Sequence, residues 1–349
     1  MNSPEYIQTS LAAAISLGMT RGRFKEKVSL TGLNLLLVYD EGCIGRCAYC
    51  GLSGQRGHPD DPTKKSKTFI RVKWPVFMLD EVIQKTKENK DKFERICISM
   101  VTHRDALKDT VLITKKIKKE LPHPISILLT PTLIRNKKDL EDLKNAGADM
   151  AGIAIDAATE DLFIKYRGSG VKGPHRWQKY WEVLKLSAEV FGDFKSGIHL
   201  ICGLGETDLD IVKAIFKAHE MKAKTHLFSF FPEACSALED HLPPQLLKYR
   251  KIQIARYLIN EKNLNPEKIA FDNSGSIMSF DYDLEEIISE GYAFMTSGCP
   301  GKDEKIAACN RPLANERPSE DFRNYPYVPG EIEKQVIRSQ IKSILDSKK

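Results

Sequence analysis

Apolar, β-branched runs alternate with amphipathic stretches along most of this 349-residue chain, and that alternation narrows the fold more than any other feature. The spacing predicts strands over 33–39, 95–100, 125–130, 150–156, 197–203, 225–231 and 268–271, with a last one over 291–296. Helices are expected between them, near 79–88, 106–120, 137–145, 177–190, 209–221 and 244–260. Strands separated by helices of that length form βαβ units and a parallel sheet. Seven or eight such units close most simply into an α/β fold of the TIM type, a (β/α) barrel that is full or nearly closed. An N-terminal helical segment, 1–32, precedes the barrel, which is expected over 33–296. A C-terminal loop and tail helix fill 297–349. In such a barrel function gathers at the C-terminal ends of the strands.

Composition excludes several classes of partner. Apolar residues make up 42% and charged residues 29%, as in ordinary globular chains. No run of about 18 apolar residues is present to span a membrane. The apolar stretch Leu11-Ala12-Ala13-Ala14-Ile15 has no basic region before it and reads as a helix, not a signal peptide. The formal charge of +6 comes from lysines scattered on helix faces, such as Lys115, Lys116, Lys118 and Lys119, which marks solvated surface more than a nucleic-acid patch.

The first strand runs into Glu41-Gly42-Cys43-Ile44-Gly45-Arg46-Cys47-Ala48-Tyr49-Cys50-Gly51. Three thiolates on one short loop, Cys43, Cys47 and Cys50, can hold three irons of a [4Fe–4S] cluster and leave the fourth iron open to a ligand. A structural zinc site would need a second cysteine pair, which the sequence lacks. A disulfide framework is not expected in a chain this long without a secretory signal. An oxygen-sensitive cluster implies a reducing cytoplasm.

With Tyr49 just before its third cysteine, the loop resembles the signature of the radical S-adenosylmethionine (radical SAM) superfamily. The resemblance implies that the open iron chelates S-adenosylmethionine, and that one electron cleaves the sulfonium to a 5′-deoxyadenosyl radical. It implies that Tyr49 packs near the adenine. Gly203-Leu204-Gly205-Glu206-Thr207, after the fifth strand, resembles the same motif in biotin synthase, where it packs against adenine; as a bare sequence it is also a tight turn capped by Glu206 and Thr207. Asp156, ending the fourth strand, is either a helix cap or, by resemblance, a ribose ligand. Arg167 is a candidate for the methionine carboxylate, with His175 and Arg176 competing. Ser99, Thr102 or backbone carbonyls stand in for the usual amino-group motif.

Cys97 resembles a cluster-ligating cysteine of biotin synthase, although Ile127 and Gly197 occupy the places of two other ligands, and Cys202 and Cys235 are out of register. The tail supplies Ser297-Gly298-Cys299-Pro300, Cys309-Asn310-Arg311-Pro312 and Asn315-Glu316-Arg317-Pro318-Ser319. Cys299 is expected at the catalytic mouth, and Cys97, Cys299 and Cys309 form a candidate second iron–sulfur site with Ser319 or an arginine as fourth ligand. Taken together these features resemble the subunits of two-protein lipoyl synthases. That resemblance implies sulfur insertion into an octanoyl chain carried on a lysine of a lipoyl-carrier domain, with the second cluster as sulfur donor. It also implies a sister radical SAM subunit and a ferredoxin or flavodoxin type reductant. A radical SAM mutase or lyase without sulfur transfer is the alternative.

Overall fold

The computed structural model describes residues 1–24, 28–52, 68–303, 307–309 and 322–346. Its centre is an eight-stranded sheet in the order β3-β1-β2-β4-β5-β6-β7-β8. Six strands are parallel: β2 (Gly32–Leu37), β4 (Arg95–Ser99), β5 (Ile125–Leu129), β6 (Met150–Asp156), β7 (Ser196–Cys202) and β8 (Ala223–Ser229). β1 (Tyr6–Thr9) pairs antiparallel with both β2 and β3 (Val76–Met78) and extends the sheet by two strands. All six residues of β2 are buried, as in a sheet covered on both faces.

Helices cover the outer face. These are α2 (Leu79–Glu88), α3 (Ala106–Glu120), α4 (Lys137–Asn145), α5 (Glu160–Tyr166), α6 (Trp177–Phe191), α7 (Asp208–Glu220) and α8 (Leu246–Lys262); α1 (Leu11–Ser16) precedes β2. Local chemistry sets several starts. Asn136 and Asp139 form a capping box on α4, Thr207 and Asp210 another on α7, and the Thr159 hydroxyl accepts from Leu162 N–H to open α5. Helix α8 is buried along most of its length. Its Arg250 is fully buried and donates to the carbonyls of Phe322 and Arg323 at 2.6 and 2.7 Å, which straps the C-terminal segment across the helix.

The α/β architecture and its parallel strands match expectation. The hydrogen-bonded ladder stays open between β3 and β8. The sheet nonetheless curls, because Leu36, Ser99, Leu128, Ala154, His199 and Phe228, one from each parallel strand, line a common cavity. Two expected barrel strands are corrected. Residues 269–271 form β9 (Ile269–Phe271) in a separate two-stranded sheet with β10 (Ile277–Phe280). Residues 291–296 are not a strand: after α9 (Leu284–Glu290), Gly291 takes φ 76° and the chain tightens into a 3-10 turn, Tyr292–Phe294. Two more helices, α10 (Glu331–Gln340) and α11 (Lys342–Leu345), end the described chain.

Candidate active site

Cys43, Cys47 and Cys50 follow β2 and line a cavity of ≈ 170 Å³ at the C-terminal ends of the parallel strands. The loop is tied down at two points. Ile44 N–H donates to the Thr102 carbonyl at 2.9 Å, and Ala48 N–H to the Tyr166 carbonyl at 2.7 Å. Backbone N–H groups also point at the sulfurs. Those of Gly45 and Thr102 each donate to Cys43 Sγ at 3.3 Å, and that of Leu52 donates to Cys50 Sγ at 3.4 Å. Burial, then the neighbouring Cys47 and Cys43, pushes the Cys50 thiol above its ordinary range. A bound cation relieves that repulsion and holds the thiols ionised. Among the described residues no three histidine, cysteine or carboxylate side chains converge as one metal ion would require. A cubane asks something else, because each thiolate binds a different iron. Three thiols with N–H donors at their sulfurs fit that demand.

Beside the loop stands a buried polar network. Asp156 ends β6 at φ 66°, a left-handed conformation that aspartate tolerates better than branched residues, where the strand register slips. Tyr49 Oη donates to Asp156 Oδ2 at 2.7 Å. Arg167 Nη1 donates to the same carboxylate oxygen and, at 2.9 Å, to Tyr49 Oη, while Nη2 donates to Tyr180 Oη at 3.1 Å. His175 Nδ1 meets Thr132 Oγ1 at 2.7 Å and Tyr180 Oη at 2.9 Å. Burial, then Arg167, pushes His175 down to about 2, so its ring is neutral at physiological pH. The structure thus gathers Tyr49, Asp156, Arg167 and His175 on one cavity, and it engages Arg167 with Asp156. Arg176 is exposed at the start of α6. Ser99 and Thr102 line the cavity as well.

Gly203, Gly205 and Glu206 form a turn at the end of β7. Both glycines have φ near 110°, and Glu206, 4% exposed, accepts from the N–H groups of Gly203 and Leu204 at 2.7 and 2.8 Å. Among the described residues lining the cavity, these three do not figure. Sequence reading passed over Glu233, which is 2% exposed, lines the cavity and accepts from Thr68 Oγ1 and, at 2.6 Å, from Arg71 N–H.

A second, smaller cavity lies deeper, toward the strand beginnings. Gly32, Asn34, Arg95, Cys97 and Ser126 line it from β2, β4 and β5, and Cys299 and Cys309 from the tail. Leu128, His199 and Phe228 line both cavities and separate them. Cys299 therefore stands at the opposite end of the barrel from the mouth where it was expected. With no last strand at 291–296, the chain crosses beneath the sheet instead of running up along it. Several bonds hold it there. Leu227 N–H donates to Ser297 Oγ at 2.8 Å, Arg95 Nε donates to the Pro300 carbonyl at 2.5 Å, and Ala308 N–H donates to the Cys299 carbonyl at 2.9 Å. Arg95 is itself fixed by Asp149 at 2.5 and 3.0 Å. Backbone and side chains approach closely: a Cβ on Gly298 would come within 2.4 Å of Cys309 Cβ. Burial pushes the Cys299 thiol up to about 12, against the pull of Arg95. The free space is small, ≈ 20 Å³, about one water's worth. The donor set, rather than the void, is what fits a cluster. Strand register sets Ser126 of β5 opposite Cys97, and Ser126 and Ile127 both line the cavity. Asn310, Arg311, Pro312, Asn315, Glu316, Arg317, Pro318 and Ser319 lie outside the described residues.

A 7,8-didemethyl-8-hydroxy-5-deazariboflavin synthase from Methanocaldococcus jannaschii is 22% identical over 254 residues, 70% of this chain and 68% of its own. Among solved structures, methylornithine synthase aligns over 90% of this chain and 83% of its own at 13% identity and TM-score 0.46. The FeFe-hydrogenase maturase HydG from Carboxydothermus hydrogenoformans aligns over 71% and 59% at 15% identity and TM-score 0.46. The family model of the radical SAM superfamily matches residues 37–218, more than half of the chain and inclusive of the whole cysteine loop. With its three thiols at the mouth of a curled parallel sheet, the chain belongs to the radical SAM superfamily.

Proposed function

We propose that this radical SAM enzyme inserts sulfur into an unactivated C–H bond of an octanoyl chain carried on a lysine of a lipoyl-carrier protein or domain. The observation that carries the reading is that Cys97 from β4 and Cys299 and Cys309 from the tail line one cavity, beneath the cavity of the cysteine loop. When bound, a [4Fe–4S] cluster and S-adenosylmethionine would supply a carbon radical strong enough to remove such a hydrogen, and a second cluster would supply sulfide together with ferric iron to take up the one electron released when sulfur bonds to carbon.

This chain's own residues do the rest. Cys43, Cys47 and Cys50 hold the first cluster, with the N–H groups of Gly45, Thr102 and Leu52 offsetting thiolate charge. Tyr49, Asp156 and Arg167 offer hydroxyl, carboxylate and guanidinium groups for the nucleoside and amino-acid ends of the cofactor. The apolar wall of Leu36, Leu128, Phe228 and Phe230 would keep water from the reacting carbon and suits an alkyl chain. His199, Leu128 and Phe228, shared by both cavities, would line the space between the two clusters. Cys97, Cys299 and Cys309 hold the sulfur source, with Arg95 fixing the loop that carries Cys299.

Partners follow from the same reading: a carrier presenting octanoyl-lysine, a sister radical SAM subunit for the other carbon, and a ferredoxin or flavodoxin type reductant. Among the described residues no helix is long and apolar enough to cross a membrane. The deazariboflavin synthase relative favours a second reading, the same radical chemistry without sulfur transfer.

The test is anaerobic reconstitution of wild type and of Cys299→Ala/Cys309→Ala, scored for iron content, 5′-deoxyadenosine release and thiolation of an octanoyl-lysine peptide. Wild type is expected to hold two clusters and thiolate the peptide. The double variant is expected to keep one cluster and release nucleoside without thiolation. Thiolation by the double variant would remove the sulfur-donor assignment. A single cluster in wild type would favour the second reading.

A further inference from the structure

One layer of the barrel interior is polar where branched apolar side chains ordinarily fill the space. Strand register sets Asn34 opposite Cys97, and Cys97 opposite Ser126. Three adjacent strands thus turn one donor group each into the cavity that also receives Cys299 and Cys309. Asn34 and Ser126 are each only 2% exposed. The Asn34 amide is oriented by its Nδ2, which donates to the Gly32 carbonyl at 3.2 Å, and among the described residues its Oδ1 is left buried without a partner. Ser126 Oγ is within hydrogen-bond reach of the Cys299 thiol and has no oxygen or nitrogen partner among the described residues. A buried polar atom left unpaired costs about 1–3 kcal/mol. The Asn34 oxygen, left so on a cavity lined by three thiols, marks a place built for something that binds there.

The two groups differ in kind. Asn34 Oδ1 only gives electron pairs, whereas the Ser126 hydroxyl can also donate a proton. We propose that Asn34 Oδ1 is the fourth protein ligand of the cluster held by Cys97, Cys299 and Cys309, and that the Ser126 hydroxyl donates to the Cys299 thiolate. The inference rests on the reading that these three cysteines hold a cluster. It puts Asn34, from the barrel wall, where the sequence suggested Ser319 or an arginine from the tail. A neutral amide oxygen is a weaker iron ligand than a thiolate. The corner it holds is therefore the one most easily surrendered, which suits a cluster that gives up sulfide.

The test uses the full chain carrying Cys43→Ala, Cys47→Ala and Cys50→Ala, so that retained iron belongs to the second site. After anaerobic reconstitution, iron and sulfide are counted, and the reduced cluster is titrated with isotope-labelled cyanide under electron paramagnetic resonance. The parent is expected to hold about four irons. Adding Asn34→Ala frees a corner and lowers the half-saturating cyanide concentration roughly tenfold. Asn34→Cys closes the corner, suppresses cyanide coupling and shifts the reduction potential to more negative values. Ser126→Ala keeps the iron and also shifts the potential. If Asn34→Ala loses its iron, Asn34→Asp and Asn34→Cys are expected to restore it, and failure of both would mean a merely structural asparagine. Cyanide titrations that coincide for the parent and Asn34→Ala overturn the Asn34 ligand and leave the second cluster standing. A parent without iron overturns both.

Discussion

Removing one charge from the Asp156–Arg167 pair should cost far more than removing both. The two side chains are 12% and 9% exposed, and Tyr49 and Tyr180 donate or accept around them. Breaking a pair so buried strands a charge and costs about 3–5 kcal/mol, whereas replacing both members by neutral groups of similar shape is often close to neutral. Asp156→Asn keeps a residue that accepts the left-handed φ of 66°. Arg167→Met keeps most of the volume. Each single variant is expected to lose about 3–5 kcal/mol, and the double variant no more than either alone, so the cycle should return a coupling energy of several kcal/mol. The assay is urea unfolding followed by circular dichroism on matched metal-free preparations. Additive losses, with the double variant down about 6–10 kcal/mol, would refute the claim that the two charges stabilise each other.

Further outcomes follow from other contacts. Burial holds His226 down at about 4. Its contribution to stability is therefore complete above the unfolded value near 6.5 and is lost as pH falls toward 4, an effect of about 3 kcal/mol. His226→Gln should flatten that part of the difference in unfolding free energy between pH 7 and pH 4, measured against wild type. Gly298→Ala drives a Cβ into Cys309 and should remove the second-site iron while nucleoside release persists, so that iron per chain falls by about half. Glu233→Ala leaves the Thr68 hydroxyl and Arg71 N–H without their carboxylate and should cost about 1–3 kcal/mol locally. Limited trypsin digestion should then cut faster after Arg71 and Lys73.

The cysteine loop was legible because its chemistry is local: three thiols within eight residues define their own site wherever the chain carries them. The parallel sheet was legible because buried strands between amphipathic helices leave a periodic trace. What failed was of longer range. Tyr6–Thr9 escaped as a strand because four residues of alternating burial, two of them polar, give almost no periodic signal. Residues 291–296 read as a strand by composition, yet Gly291 at positive φ turns them into a 3-10 segment, and that one turn moved Cys299 from the mouth to the base of the barrel. The Asn34–Cys97–Ser126 layer depends on register across three strands, which no single stretch of sequence encodes. Glu233 reaches Thr68 and Arg71 across more than 160 positions from a loop without a motif.

The central claim is that sulfur leaves this protein's own second site and enters a carbon chain. The direct measurement is mass spectrometry of an octanoyl-lysine peptide after a single anaerobic turnover with protein reconstituted in heavy-isotope sulfide. The account predicts a thiolated peptide carrying the heavy isotope, with release of 5′-deoxyadenosine. Nucleoside release with an unthiolated peptide, or with only light sulfur in the product, would contradict it.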